Sequence, residues 1–193
     1  MMRATVRTAA RAALPLRYSQ GFNPHPILSL ACPRPVGVTA RDDLLVVSLD
    51  APVEAEELLR RLNAHAPRGM RFLRAQALQA RSTPRACRAD YQLPLPSDKL
   101  SGVSERLARL AAADSWKVER FTSSRGGGKA MKPRVIDLKP LVTDVRVDGQ
   151  VLRWRQVPQG DLWARPGELL GLLGLDDRVD LAAVERTTVE YKG

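Results

Sequence analysis

The chain of 193 residues contains few cysteines and no long apolar run. Its two cysteines, Cys32 and Cys87, form no CxxC pair and have no neighbouring pair of histidines, which argues against a disulfide framework and a zinc site. The longest apolar runs are far shorter than the ~18–20 residues of a membrane helix, and no apolar segment of a secretory signal follows the start. We therefore expect a cytoplasmic protein without a metal, a cofactor or a membrane partner.

Acidic residues are scarce in the first half of the chain. Residues 1–88 contain 14 arginines and no lysine against six acids, and they carry most of the formal net charge of +10. Arginine presents a planar fork that binds phosphate and stacks on bases. A GC-rich genome would explain the ratio of arginine to lysine but not the sign of the charge, which predicts a polyanionic partner.

The apolar spacing of residues 2–14 predicts a helix. Arg3, Arg7 and Arg11 follow one another at i, i+4 and i+8, and no acid lies in this stretch to pair with them. These three side chains form what we call the arginine ridge. It is either a surface that faces phosphate or an ordinary solvated helix face.

The remaining pattern alternates strands and helices, as is typical of an α+β fold. Residues 1–80 predict a helix, strands, a second helix and a strand at 70–77, and residues 90–193 predict a strand, a helix, strands, a helix and a strand. Asp148-Gly149 predicts a hairpin turn. The polar, basic residues 79–89 are interpreted as a linker.

Both halves fit a βαββαβ plan, so we expect two tandem ferredoxin-like units, residues 1–80 and 90–193. The first unit would lack its N-terminal strand, because the chain begins inside what should be the first helix. An unpaired sheet edge would follow.

The segment YSQGFNPHP, residues 18–26, has the most specific pattern in the chain. Gly21 permits backbone conformations that other residues resist, and Pro24 and Pro26 fix φ on either side of His25. The pattern therefore predicts a rigid turn, which we call the aromatic turn. The candidate binding residues of this region are Arg17, Tyr18, Gln20, Phe22, Asn23 and His25.

Three roles are open for the aromatic turn. Aromatic side chains and a histidine beside arginines suit stacking on unpaired bases. His25 could instead act as a general base, although the sequence places no base beside Ser19. In the third role the turn is only structural, with Phe22 in the core and His25 hydrogen-bonded to the backbone.

A second candidate site surrounds the glycine-rich loop at residues 123–133, whose backbone amides would approach phosphate. The loop lacks the GxxxxGK[ST] spacing of a nucleotide site, and a plain hairpin loop is the alternative. Asp137 and Lys139 alternate on one face of the next strand, as a surface ion pair or as part of the site. The candidate residues here are Arg125, Lys129, Lys132, Arg134, Asp137 and Lys139.

Three segments carry a family resemblance: LPLRYSQGFNPHPILSLACPRPVGV, KPRVIDLKPLV and ARPGELLGLLGL. They resemble the radical SAM-linked family, which is of uncharacterised function and occurs fused to or beside radical SAM proteins. Members usually begin with a strand and an HLD-containing helix start, which this chain lacks. The resemblance implies a radical SAM protein as partner. The chain itself has no CxxxCxxC motif to hold the iron–sulfur cluster of such an enzyme.

The leading hypothesis is a non-catalytic accessory domain that binds RNA and works with a radical SAM partner. The main alternative is an adaptor that docks this partner by strand addition, without nucleic acid. A third hypothesis is an RNA-processing enzyme with His25 as general base, which rests on a fold-level analogy with CRISPR repeat-RNA endoribonucleases.

Overall fold

The computed structural model describes residues 2–78, 84–121, 133–176 and 178–192. These residues form four α-helices and several sheets, which confirms the mixed α+β class. The elements in chain order are α1 (Met2–Arg11), β1 (Leu28–Leu30), β2 (Thr39–Ala40), β3 (Leu45–Val47), α2 (Ala55–His65), β4 (Arg85–Pro94), α3 (Ser97–Ala112), β5 (Lys117–Arg120), β6 (Arg134–Asp137), β7 (Val142–Asp148), β8 (Val151–Gln156), α4 (Pro166–Leu172), a 3-10 turn (Asp180–Ala183) and β9 (Glu185–Lys192). None of the helices in the described ranges is long and apolar enough to cross a membrane.

The chain divides into two units, and neither unit is one continuous stretch of sequence. Unit 1 consists of Met1–Pro33 and Asp43–Arg85, and unit 2 consists of Arg34–Asp42 and Ala86–Lys192. Residues 85–89, which the sequence analysis assigns to a linker, form the first half of β4. The segment Arg34–Asp42 joins unit 2 because β2 pairs in parallel with β9.

Unit 1 packs its two helices and a small sheet around a core of small side chains. Strands β1 and β3 pair antiparallel, with Leu28 opposite Val47. The buried apolar residues of this unit are Ala9, Ala12, Leu14, Leu16 and Leu62. Because two of these five are alanines, the core is small and each larger side chain contributes a large share of the buried area.

Helix α2 carries a branched ion pair on its exposed side. The Glu57 carboxylate accepts hydrogen bonds from Arg60 Nε at 2.7 Å and from Arg61 Nε at 2.6 Å. The hydrogen bonds from Arg60 and then Arg61 lower the pKa of Glu57 to about 2. Pairs at i, i+3 and i, i+4 stabilise a helix in this way.

Unit 1 is expected to become less stable in acid, because protonation of Glu57 breaks this ion pair. Because the folded pKa of Glu57 lies below its ordinary value of 4.5, its contribution is complete above pH 4.5 and is lost as the pH falls through about 2. Glu57→Gln should therefore lower the melting temperature at pH 7, and the difference from wild type should shrink below pH 4.5. Circular-dichroism melts between pH 2 and 7 measure this, and a constant difference would contradict it.

Unit 2 is built on a five-stranded sheet in the order β2-β9-β4-β8-β7. Strand β4 pairs antiparallel with β8, and β7 pairs antiparallel with β8 across the predicted Asp148-Gly149 turn. Gly149 has a φ of 58°, which glycine adopts without strain. Strands β5 and β6 form a separate antiparallel pair.

The two faces of this sheet differ in chemistry. On one face Tyr91 stacks on Trp154, with ring centroids 5.4 Å apart, and Val103 of α3 and Leu169 of α4 are buried in the same core. Alternate residues point to the opposite face, as the strand period of two requires. That face is polar and carries Arg88, Asp90 and Gln92 from β4 and Arg153 and Arg155 from β8.

Candidate functional site

The aromatic turn is closed by its own backbone and by one side chain. Tyr18 and Pro26 form an antiparallel bridge. Inside it, Ser19 N donates to His25 O at 2.9 Å, and His25 N donates to Ser19 Oγ at 3.2 Å. Gly21 has a φ of 135°, which strains a residue with a side chain. These contacts close the turn on its own backbone, and its rigidity stays a prediction.

The structure places His25 beside Ser19. Ser19 Oγ lies 3.0 Å from His25 Nδ1, and the carbonyl oxygen of Asn23 lies 3.4 Å from the same nitrogen. The ring is therefore held through Nδ1, and in the described part of the chain Nε2 has no hydrogen-bond partner. A serine and a histidine six residues apart around Gly21 and Pro24 were the only sequence signal for this pair.

The aromatic side chains of the turn lie in solvent. Phe22 is fully exposed and Tyr18 is 45% exposed. The alternative that buries Phe22 in the core is therefore wrong, because its ring is fully exposed. Gln20, Asn23 and His25 are exposed as well.

The arginine ridge is also exposed. Arg3, Arg7 and Arg11 have neither a hydrogen bond nor an ion pair from their side chains to any other residue that the structure describes. Arg17 differs, because its Nε donates to Asp50 Oδ1 at 2.9 Å. Free arginines at this spacing present a row of guanidinium groups to solvent.

The candidate residues after the glycine-rich loop have structural contacts. The Asp137 carboxylate accepts the backbone amides of Trp116 at 2.7 Å and Lys139 at 3.0 Å, and these hydrogen bonds lower its pKa. Lys139 Nζ donates to the carbonyl oxygen of Ala113, just after α3. Arg134 is exposed on β6. Arg125, Lys129 and Lys132 lie outside the described residues.

A further cluster, which no sequence pattern predicted, lies on the polar face of the sheet in unit 2. It lines a shallow concavity, and we call it the sheet-face cluster: Asp90, Asp144, Arg146, Arg153, Arg155 and Thr187. Its members come from four strands that are far apart in sequence, so no local motif marks them. Alternation of charged residues on β4 and β8 was the only available signal.

Ion pairs connect the sheet-face cluster. Arg155 Nε donates to Asp90 Oδ1 at 2.8 Å, and its Nη2 lies 3.8 Å from Asp144 Oδ2. Burial raises the pKa of Asp90, but hydrogen bonds from Arg88 and Arg155 outweigh it and leave the pKa below its usual value. The hydrogen bond from Arg146 lowers the pKa of Asp144. Both carboxylates are therefore charged at neutral pH.

No group of three or more histidine, cysteine or acidic side chains in the described ranges could hold a metal ion. A family model described as "uncharacterized protein conserved in bacteria (DUF2344)" matches residues 1–162. No curated protein matches the chain. The family description names no activity, ligand or partner.

Proposed function

Since the chain belongs to this family of uncharacterised proteins conserved in bacteria, we propose from its own geometry that it is a non-catalytic module that binds single-stranded RNA. The observation that carries the proposal is the fully exposed ring of Phe22 at the tip of a closed turn. A base that stacks on a ring presented by a closed turn orders only the side chain and not the backbone, so little conformational freedom is lost. Sequence-specific recognition of RNA mostly uses bases that are unpaired and unstacked, and such bases stack on aromatic side chains.

Charge and hydrogen-bonding groups of unit 1 support the same function. The arginine ridge supplies three guanidinium groups without acidic partners in the described residues. His25 is oriented through Nδ1, so that Nε2 remains for a ligand. Phosphate attraction and base stacking together are what binding of a single strand requires.

The proposal also includes a radical SAM protein as partner and a ferredoxin-like fold for both units. Resemblance to the radical SAM-linked family supports a complex with a radical SAM protein, and we place this complex in the cytoplasm and let it act on the same RNA as part of the proposal. Unit 2 supports a ferredoxin-like fold in two ways. Its elements β4, α3, β7, β8, α4 and β9 follow the βαββαβ order, and the four strands among them lie in one sheet. We extend this plan to unit 1 as the other half of a tandem arrangement. The complex is tested by co-purification with the partner before and after nuclease treatment.

Phe22→Ala, which removes the aromatic ring, is expected to weaken RNA binding by roughly tenfold, because one stacked base contributes about 1–3 kcal/mol. The measurement is fluorescence anisotropy with a labelled single-stranded RNA at fixed salt. Val36→Ala is the matched control, since Val36 is 95% exposed and lies in unit 2. Equal affinity of Phe22→Ala and Val36→Ala, or no binding by the wild type, would overturn the proposal.

A further inference from the structure

The sheet-face cluster contains a hydrogen-bond donor that lacks a partner. Arg153 Nε is buried, and no described residue accepts its hydrogen bond. The Asp148 carboxylate forms an ion pair with Arg153 Nε at 3.6 Å, which is too long for a hydrogen bond. Arg153 Nη1 is already fixed by Gln92 Oε1 at 2.9 Å. Buried donors are nearly always satisfied in proteins, so an unmade hydrogen bond beside a guanidinium group that is itself 39% exposed marks the concavity as a place where an acceptor is missing.

The concavity offers acceptors as well as donors. Three arginines and two aspartates line it, which leaves a small positive balance. A plain anion would meet the two carboxylates as well as the guanidinium groups. A ligand that suits both has an anionic group and, close to it, hydroxyl groups that can donate to carboxylate.

Asp144 is held in an unusual conformation at the edge of this concavity. Its φ is 55°, and the pairing of β7 with β8 shifts register between Thr143 and Arg146. A bulge of this kind redirects a side chain, and such features occur often beside functional sites. Here it brings the Asp144 carboxylate to both Arg146 and Arg155.

We propose that the sheet-face cluster binds the ribose and phosphate of a ribonucleotide. The partly exposed guanidinium group of Arg153 and the exposed Arg146 bind the phosphate, and the Asp144 carboxylate accepts a hydrogen bond from the ribose 2′-hydroxyl. That hydroxyl is the group by which a protein distinguishes RNA from DNA. The inference rests on the proposed function only for the source of the nucleotide, because the site lies wholly within unit 2.

Calorimetric titration with 5′-AMP, 5′-dAMP and inorganic phosphate tests this site in the full-length protein. We expect 5′-AMP to bind about tenfold more tightly than 5′-dAMP, since a hydrogen bond to a charged group has about this effect. Asp144→Asn should reduce the preference, because a neutral amide oxygen accepts a weaker hydrogen bond than a carboxylate, and asparagine tolerates a positive φ, so the bulge is retained. Arg153→Gln should weaken both nucleotides, and Asp161→Asn, an exposed charge-matched control, should change neither.

Several results would overturn the inference. They are equal affinity for the two nucleotides, inorganic phosphate binding as tightly as 5′-AMP, an unchanged preference in Asp144→Asn, and no binding of 5′-AMP. The failure of the proposed function is a separate result, because it is measured on Phe22 with single-stranded RNA. Preferential binding of 5′-AMP together with no effect of Phe22→Ala would leave this site in place and remove the function assigned to the aromatic turn.

Discussion

Glu168→Ala is expected to lower the free energy of unfolding of unit 2 by about 3–5 kcal/mol, because it leaves the buried charge of Arg120 without an acidic partner and with only the carbonyl oxygen of Trp163 as acceptor. Arg120 and Glu168 side chains are only 9% and 13% exposed. Two parallel hydrogen bonds of 2.7 Å join them. Glu168 also accepts the backbone amide of Arg165 at the start of α4, so the substitution removes a helix cap as well.

Urea unfolding followed by tryptophan fluorescence measures this effect in unit 2 alone, since all three tryptophans, Trp116, Trp154 and Trp163, lie in that unit. Glu105→Ala is the matched control. Its pair with Arg109 is exposed and 3.8 Å long, so a loss below about 1 kcal/mol is expected. A similarly small loss in Glu168→Ala would contradict the assignment of a buried, stabilising ion pair.

Local patterns predicted those parts of the fold that depend on neighbouring residues. The Asp148-Gly149 hairpin forms as expected because the turn chemistry is contained in two residues. By contrast, β2 pairs with β9, whose residues lie about 145 positions away. No local pattern marks a strand of two residues whose partner is so distant.

The strand predicted at residues 70–77 illustrates how a side chain can replace a strand partner. In the structure this segment is not a strand. Phe72 N donates to Asn63 Oδ1, and Asn63 Nδ2 donates to Phe72 O, both at 2.9 Å. The amide of one side chain thus satisfies the backbone groups that a neighbouring strand would otherwise bind. An apolar run alone does not distinguish these two outcomes.

The candidate sites also contain features that local sequence predicts and features that depend on how distant residues come together. The formation of the aromatic turn was predictable, because Gly21 and Pro24 act on their own backbone. The hydrogen bond between Ser19 and His25 was not, since its geometry depends on how the turn closes. The sheet-face cluster was not predictable either, because strand register brings residues such as Asp90 and Asp144 together across β4, β8 and β7.

Replacing Arg3, Arg7 and Arg11 together by glutamine is expected to weaken the binding of single-stranded RNA a few hundredfold at 50 mM salt. Each phosphate contact releases counterions, and log K falls with log salt by about 0.7 for each contact on a single strand. Removing three contacts should therefore make this slope less steep by about 2. Anisotropy titrations from 50 to 300 mM salt measure both quantities on the same samples.

Net charge alone would also weaken RNA binding, so the control must remove three positive charges elsewhere. Lys117, Arg178 and Lys192 are exposed residues of unit 2 that form no salt bridge in the described ranges, although Asp137 lies near Lys117 and Asp176 near Arg178. If the arginine ridge contacts phosphate, their replacement by glutamine should change the salt slope by much less than 2, because long-range attraction between exposed charges is screened within ~10 Å at 0.1 M salt. Equal slopes in the two triple variants would mean that RNA senses only the total charge, and the ridge would then be a solvated helix face.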